Sequence, residues 1–292
     1  MNRLILPLLL ISAALAGAQD ALRPVLETTY NSWRESILKR DVTLWQRATA
    51  EHRKMEMKNR LLSEKVPYPA GVFMLPAPPP ALSGLKFLEA KQNGPTAKAS
   101  YFGKVDFGIG GSPSNNLLVL SFVRGGTGWL YDKADFVNLM ALPAVEKELA
   151  AGNLKYLHET PETQPSGKVP PTPMPARAAK YVAKVYVFCP GREVRVQINK
   201  LSEHRFANAK EAEVVIGGAL EGANEVQFTT KKLEGGTGKE ALTIRVYLRS
   251  EVKGASPLKI FQYQVDEGAS AQAFGKGTFN VDAATAAKVL GR

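Results

Sequence analysis

One cysteine, Cys189, is all the thiol chemistry in this chain of 292 residues. It allows no intramolecular disulfide, no cysteine-based zinc cage and no Cys-x-x-Cys redox pair. Histidine is scarce too: His52, His158 and His204 lie far apart, and none has a second histidine three or four residues away. No metal site is expected from such spacing. No Gly-x-Ser-x-Gly elbow occurs, and Pro113 spoils the nucleophile context of the loop Gly110–Ser114. Gly235-Gly236-Thr237-Gly238-Lys239 stops at half a phosphate loop, with Leu233 where the first glycine belongs and Glu240 where Ser or Thr belongs. Gly108-Ile109-Gly110 fails as a dinucleotide fingerprint because Pro113 takes the place of the third glycine. No cofactor is therefore expected. With no helix-turn-helix or aromatic RNA-binding motif, nucleic acid is not an expected partner.

Long apolar runs are missing except at the start. Leu4 to Leu15 is interrupted only by Pro7 and Ser12, follows Asn2-Arg3, and leads into Ala16-Gly17-Ala18. This pattern predicts a signal peptide over residues 1–18, cleaved after Ala18, and places the mature chain in the periplasm or outside the cell. The run is shorter than the roughly 20 residues a bilayer core requires, so no membrane span is expected after cleavage. In an oxidising compartment Cys189 is expected to be buried, because Val185, Val187 and Phe188 precede it in a strand-like run.

What the chain does have is ordinary globular composition, with 45% apolar, 22% charged and 8% aromatic residues, and a net charge of +11. The length suggests two domains. Residues 160–176 contain six prolines without apolar periodicity, which predicts a semi-rigid connector between a domain at 19–159 and another at 177–292. The basic excess concentrates in the second half: 19 basic against 12 acidic residues over 165–292, compared with 18 against 15 over 19–164.

In the first half, Leu22, Leu26, Tyr30, Trp33 and Ile37 share a helical face. Asp41 can cap a second helix bearing Leu44, Ala48 and Met55 on one side. The proline-rich segment 66–81 reads as an ordered loop covering the core with Phe73, Met74 and Leu75. Strands follow at 85–92, 97–107, 117–123 and 129–137, joined by the Asn93-Gly94 signal and by Gly125–Gly128, and a helix closes the domain from Pro143 to Ala151. The second half predicts strands at 181–188, 192–198, 212–216, 225–230, 241–249, 258–265 and 272–281, then a short helix from Ala283 to Leu290 capped by Asp282. Clean alternation over Glu193–Ile198 and Leu242–Arg249 argues for sheets with one wet face, hence a two-sheet sandwich. The fold class expected is α+β: helices on a curved antiparallel sheet, followed by an all-β sandwich.

The order of helix, corner at Arg40-Asp41, second helix and antiparallel sheet, together with Trp33, Asp41 and Trp45, resembles the NTF2-like (SnoaL-like) cone fold over residues 20–140. The second half resembles immunoglobulin-like or C2-like sandwiches in a generic sense. The NTF2-like resemblance implies a cone that either binds or scaffolds, or that works as an isomerase or dehydratase with an acidic base and hydroxyl donors inside it. It leaves homodimerisation open, since a cone sheet often has one open face.

Three sets of residues carry these options. Asp106, Asp132 and Asp135, with Tyr101 and Tyr131 as donors, are the acid–base candidates, because a carboxylate at an apolar cavity mouth gains basicity. The alternative for them is a solvated strand end. Trp33, Trp45, Phe73, Phe122 and Trp129 either line a pocket or fill a core. Lys184, Arg192, Arg195, Lys200 and Arg205 cluster as an anion-binding candidate, with a solvated face as the alternative. The function expected from the whole is a non-enzymatic exported binding or scaffold protein that contacts a protein or an anionic envelope polymer. The rivals are an NTF2-like enzyme acting on a small apolar or carbonyl substrate, and polyanion binding by the sandwich.

Overall fold

The computed structural model describes residues 8–108 and 112–292, with side chains from Ala21 onward. It is an α+β protein with three antiparallel four-stranded sheets. Of the expected signal peptide, residues 1–7 lie outside the described residues, and from Leu8 the backbone belongs to helix α1, Leu8–Lys39. The loop Gly110–Ser114 also begins outside them. No helix among the described residues is long and apolar enough to cross a membrane.

The chain divides into two compact units, Met1–Lys54 with Val72–Pro173, and Met55–Gly71 with Met174–Arg292. This differs from a single boundary at 160–176, because 55–71 joins the second unit. Side-chain hydrogen bonding explains the assignment. Buried Asn59 donates to Met174 O at 2.8 Å and accepts from Ala176 N at 2.8 Å, and buried Ser63 accepts from Gly217 N at 2.8 Å. The stretch 160–173 is likewise no free tether. Thr163 is buried, Asn93 donates to Pro165 O at 3.2 Å, and Gly167 N donates to Thr96 Oγ1 at 2.8 Å.

In the first unit, α1 buries Leu26, Tyr30 and Ile37 on the face expected from their spacing. The predicted second helix is two: α2, Val42–Ala48, capped by Asp41 at Leu44 N, and α3, Glu51–Ser63, which belongs to the second unit from Met55 on. The break is tertiary in origin. Thr49 bridges Tyr131, and Ala50 N donates to Tyr131 O at 2.8 Å, so this corner adds itself to the edge of a sheet. That sheet is a meander of β1, Lys86–Asn93, β2, Thr96–Val105, β3, Ser114–Arg124, and β4, Trp129–Asn138. Gly94 at φ 52 and Gly128 at φ 155 sit in the hairpin turns where a side chain is disfavoured. Strand β3 is buried on both faces. Leu118, Leu120 and Phe122 pack with α1 residues, and Leu117 and Val119 pack with Leu149 and Leu157. Leu149 belongs to α4, Pro143–Ala150, and Leu157 to α5, Lys155–Glu159, a helix the sequence reading did not contain.

The second unit holds the other two sheets. One has the order β11-β10-β5-β8, built from β5, Ala183–Phe188, β8, Lys210–Val214, β10, Leu242–Leu248, and β11, Leu258–Val265. The other has the order β12-β9-β6-β7, built from β6, Arg192–Ile198, β7, Ser202–Ala207, β9, Gly222–Lys232, and β12, Phe274–Val281. Strand β7 was not anticipated, because Ser-Glu-His-Arg-Phe-Ala alternates without reading as apolar on either side. Valines, leucines and phenylalanines from both sheets join one buried cluster that includes Cys189. Burial raises the Cys189 thiol above its usual range. Helix α6, Ala283–Leu290, is capped by Asp282 and ends at left-handed Gly291.

Candidate binding faces

The three acid–base candidates end in three different environments. Asp106 is exposed and accepts from Gly108 N at 2.8 Å, a local turn. Asp135 is partly exposed and pairs with Lys133 at 2.9 Å. Asp132 is buried and meets His52 Nε2 at 2.8 Å. Its position follows from a bulge: Ser121 faces Lys133 and Phe122 faces Tyr131, so Asp132 is the extra residue of β4. The bulge turns its carboxylate toward the first turn of α3, where His52 sits.

The tyrosines are committed as well. Tyr101 donates to Glu27 at 3.1 Å, and Tyr131 stacks on Trp33 with ring centroids 4.0 Å apart. Burial raises both phenols above their ordinary range, so neither is an easily ionised acid. Of the expected pocket-lining set, Trp45, Phe122 and Trp129 are buried, and Trp33 packs against the same cluster as Phe122 and Trp129. Phe73 is half-buried, whereas Met74 and Leu75, expected to need cover, are 74% and 45% exposed. The segment is fastened instead at its prolines: Tyr30 OH donates to Pro80 O and Arg34 Nε to Pro79 O, both at 2.8 Å.

The five basic candidates do not form one patch. Arg192 is buried, its guanidinium donating to the carbonyls of Gly238 and Glu240. Glu240 in turn is held to a pKa of about 2 by the backbone N–H groups of its own turn, Thr237 first. Arg195 and Arg205 both point at Glu193, at 2.8 Å and 2.7 Å. Lys200 sits in the β6–β7 turn at φ 57. Lys184 is on the other sheet.

That other sheet carries the arrangement the sequence reading missed. Residues directly opposite in an antiparallel pair share a face. Registers place Lys184 opposite Tyr247 and Tyr186 opposite Arg245, with Phe188 opposite both Thr243 and Lys210. On the far side Arg245 faces Gln262 and Tyr247 faces Lys259. The outward face therefore bears Lys184, Lys210, Arg245 and Lys259, with Arg249 just beyond β10, and no outward position of its four strands is Asp or Glu. A hollow of about 430 Å³ opens there, lined by Lys184, Tyr186, Ala212, Tyr247, Arg249 and Pro257. Arg245 Nε is buried without an acceptor among the described residues. A donor left unsatisfied in this way is costly. Among the described residues these cations meet neutral acceptors, Arg249 on Glu64 O, Lys259 on Gln262 and Arg245 on Tyr247 OH, and two tyrosine rings between them suit a ligand with anionic groups on an apolar frame.

The outward face of the β12-β9-β6-β7 sheet differs. Its registered positions alternate Glu193, Glu203 and Glu225 with Arg195, Arg205, Lys231 and Lys276. On the inner side of edge strand β7, Ser202 Oγ lies 2.7 Å from His204 Nε2, and His204 Nδ1 lies 2.7 Å from Glu213 Oε2. The order hydroxyl, imidazole, carboxylate is that of a hydrolase. However, Ser202 is wholly buried and its oxygen already accepts from Ile216 N at 2.7 Å. The trio acts as a structural clasp, its serine closed to substrate. Among the described residues no group of three or more His, Cys, Asp or Glu could hold a metal ion.

No protein-family model, curated protein or solved structure matches this chain.

Proposed function

We propose that this chain is a non-enzymatic, exported binding protein whose second unit holds an anionic polymer of the cell envelope. In this reading the two sheets of the second unit form a β-sandwich, and the first unit is an NTF2-like cone used as scaffold. The observation that carries it is the outward face of β11-β10-β5-β8, with four basic strand residues, two tyrosines and no carboxylate. Such a face raises the local concentration of anions and presents rings against which a polymer backbone packs. The scaffold reading is supported by the interlocked rings of Tyr30, Trp33, Phe122 and Tyr131, at centroid distances of 4.0–6.2 Å. Asp132, held by His52, supports it too, since a base tied to an internal partner is not aimed at substrate. Export rests on the amino-terminal run from Leu4 to Ala18.

The test is retention of the mature chain on dextran-sulfate and carboxymethyl matrices. The reading expects salt-sensitive retention that Lys184→Glu with Arg249→Glu abolishes and that Arg195→Glu with Arg205→Glu leaves in place. Retention lost only in the second pair contradicts the choice of face, and no retention of the unaltered chain contradicts the function.

A further inference from the structure

We propose a second site, independent of the anionic one: the outward face of β12-β9-β6-β7 binds a short, uncharged, linear oligosaccharide. The inference starts from Phe274, an aromatic side chain left 58% exposed on a strand whose next residue is glycine. A Cβ at Gly275 would meet the Phe228 ring at 2.0 Å, so the glycine lets that core ring press against the inner side of β12. Phe274, on the opposite side, has no such core to enter.

Strand register builds the rest of the site. One row across the sheet runs Arg205, Arg195, Thr229, Phe274, and the next runs Glu203, Gln197, Gln227, Lys276. All of these residues except Lys276 line a hollow of about 510 Å³. Four strands at about 4.8 Å spacing make it about 14 Å across, the scale of a few linked sugar rings.

Its chemistry selects the class of ligand. The polar groups are planar and already ordered: Gln197 Nε2 donates to Glu203 at 2.9 Å, Arg195 Nε to Glu193 at 2.8 Å, and Arg205 Nη2 to Glu193 at 2.7 Å. Ordering before binding lowers the entropic cost of recruiting them. Both guanidiniums share Glu193, and Lys276 lies 3.4 Å from Glu225, so carboxylates offset most of the positive charge on this face. Amides, a hydroxyl and guanidiniums held on a shared carboxylate match sugar hydroxyls, which both donate and accept, and the bare Phe274 ring matches the C–H face of a pyranose. A peptide side chain would require apolar pockets, and these two rows offer a single large apolar group.

The experiment is a titration of the isotope-labelled chain, followed by amide NMR, with four hexasaccharides: β-1,4-linked glucose, N-acetylglucosamine and mannose, and α-1,4-linked glucose. The inference expects at least one to shift amides of β6, β7, β9 and β12. Its affinity should fall at least tenfold in Phe274→Ala, survive in Phe274→Trp, and stay unchanged in Lys184→Glu with Arg249→Glu or in raised salt. No shift with any of the four at millimolar concentration overturns it. Binding that ignores Phe274→Ala, or a response of this face to peptides in place of sugars, overturns it as well.

Discussion

His52 Nε2 and Asp132 Oδ1 lie 2.8 Å apart in the first unit, both nearly closed to solvent. The pair exists because two irregularities coincide: a bulge that inserts Asp132 into β4, and a helix break that docks Thr49-Ala50 on the edge of that strand. It fastens the start of α3 to the sheet. Asp132→Ala and His52→Ala should each destabilise the first unit by about 1–3 kcal/mol, because each leaves a buried polar partner unsatisfied. Urea denaturation of the single and double variants checks this. A structural pair predicts that the double variant loses less than the sum of the two singles.

Ser121, the cross-strand neighbour of Lys98 and Lys133, carries a buried hydroxyl without a partner among the described residues. Replacing it with alanine removes an unsatisfied group while leaving a residue of similar size. Ser121→Ala is therefore expected to leave thermal stability unchanged or to raise it by about 1 kcal/mol, where a satisfied buried serine would lose stability on the same change.

Glu193 is held to a pKa of about 2 by hydrogen bonds from Arg205 first and Arg195 second. Its folded value lies below its ordinary value of 4.5, so its contribution to stability is present above that pH and is lost as pH falls through about 2. Carboxyl-carbon NMR should find Glu193 titrating near 2 in the unaltered chain and moving back toward 4.5 in Arg205→Ala. Titration near 4.5 in the unaltered chain would mean that the fork is open in solution.

Periodicity made the elements legible where one force dominated. The stripe of Leu22, Leu26 and Tyr30, the alternation through Leu242–Leu248 and the cap at Asp282 are local or single-face signals, and the structure carries all three. Elements fixed by distant partners were not legible. The break at Thr49 depends on Tyr131, and the membership of 55–71 depends on Asn59 reaching Met174 and Ala176. The candidate site was half visible for the same reason. Sequence proximity grouped Lys184 with Arg192, Arg195, Lys200 and Arg205, but strand order decides which face each residue joins. Lys184 sits with Arg245, Tyr247 and Lys259, residues about 60–75 positions away that only the β11-β10-β5-β8 order brings alongside. Arg192 reads as one more cation in the cluster, and its burial against the Glu240 turn is a tertiary fact.

The central claim is that anions are held by one sheet face and not by the other, and the salt dependence of binding measures it most directly. Fluorescence titration with dextran sulfate at a series of salt concentrations gives a slope of log affinity against log salt that counts the cations engaged. The account predicts that Lys184→Gln, Lys210→Gln and Lys259→Gln each flatten that slope by about one unit, while Arg195→Gln, Arg205→Gln and Lys276→Gln leave it unaltered. Equal flattening by both sets, or flattening by the second set alone, would contradict it.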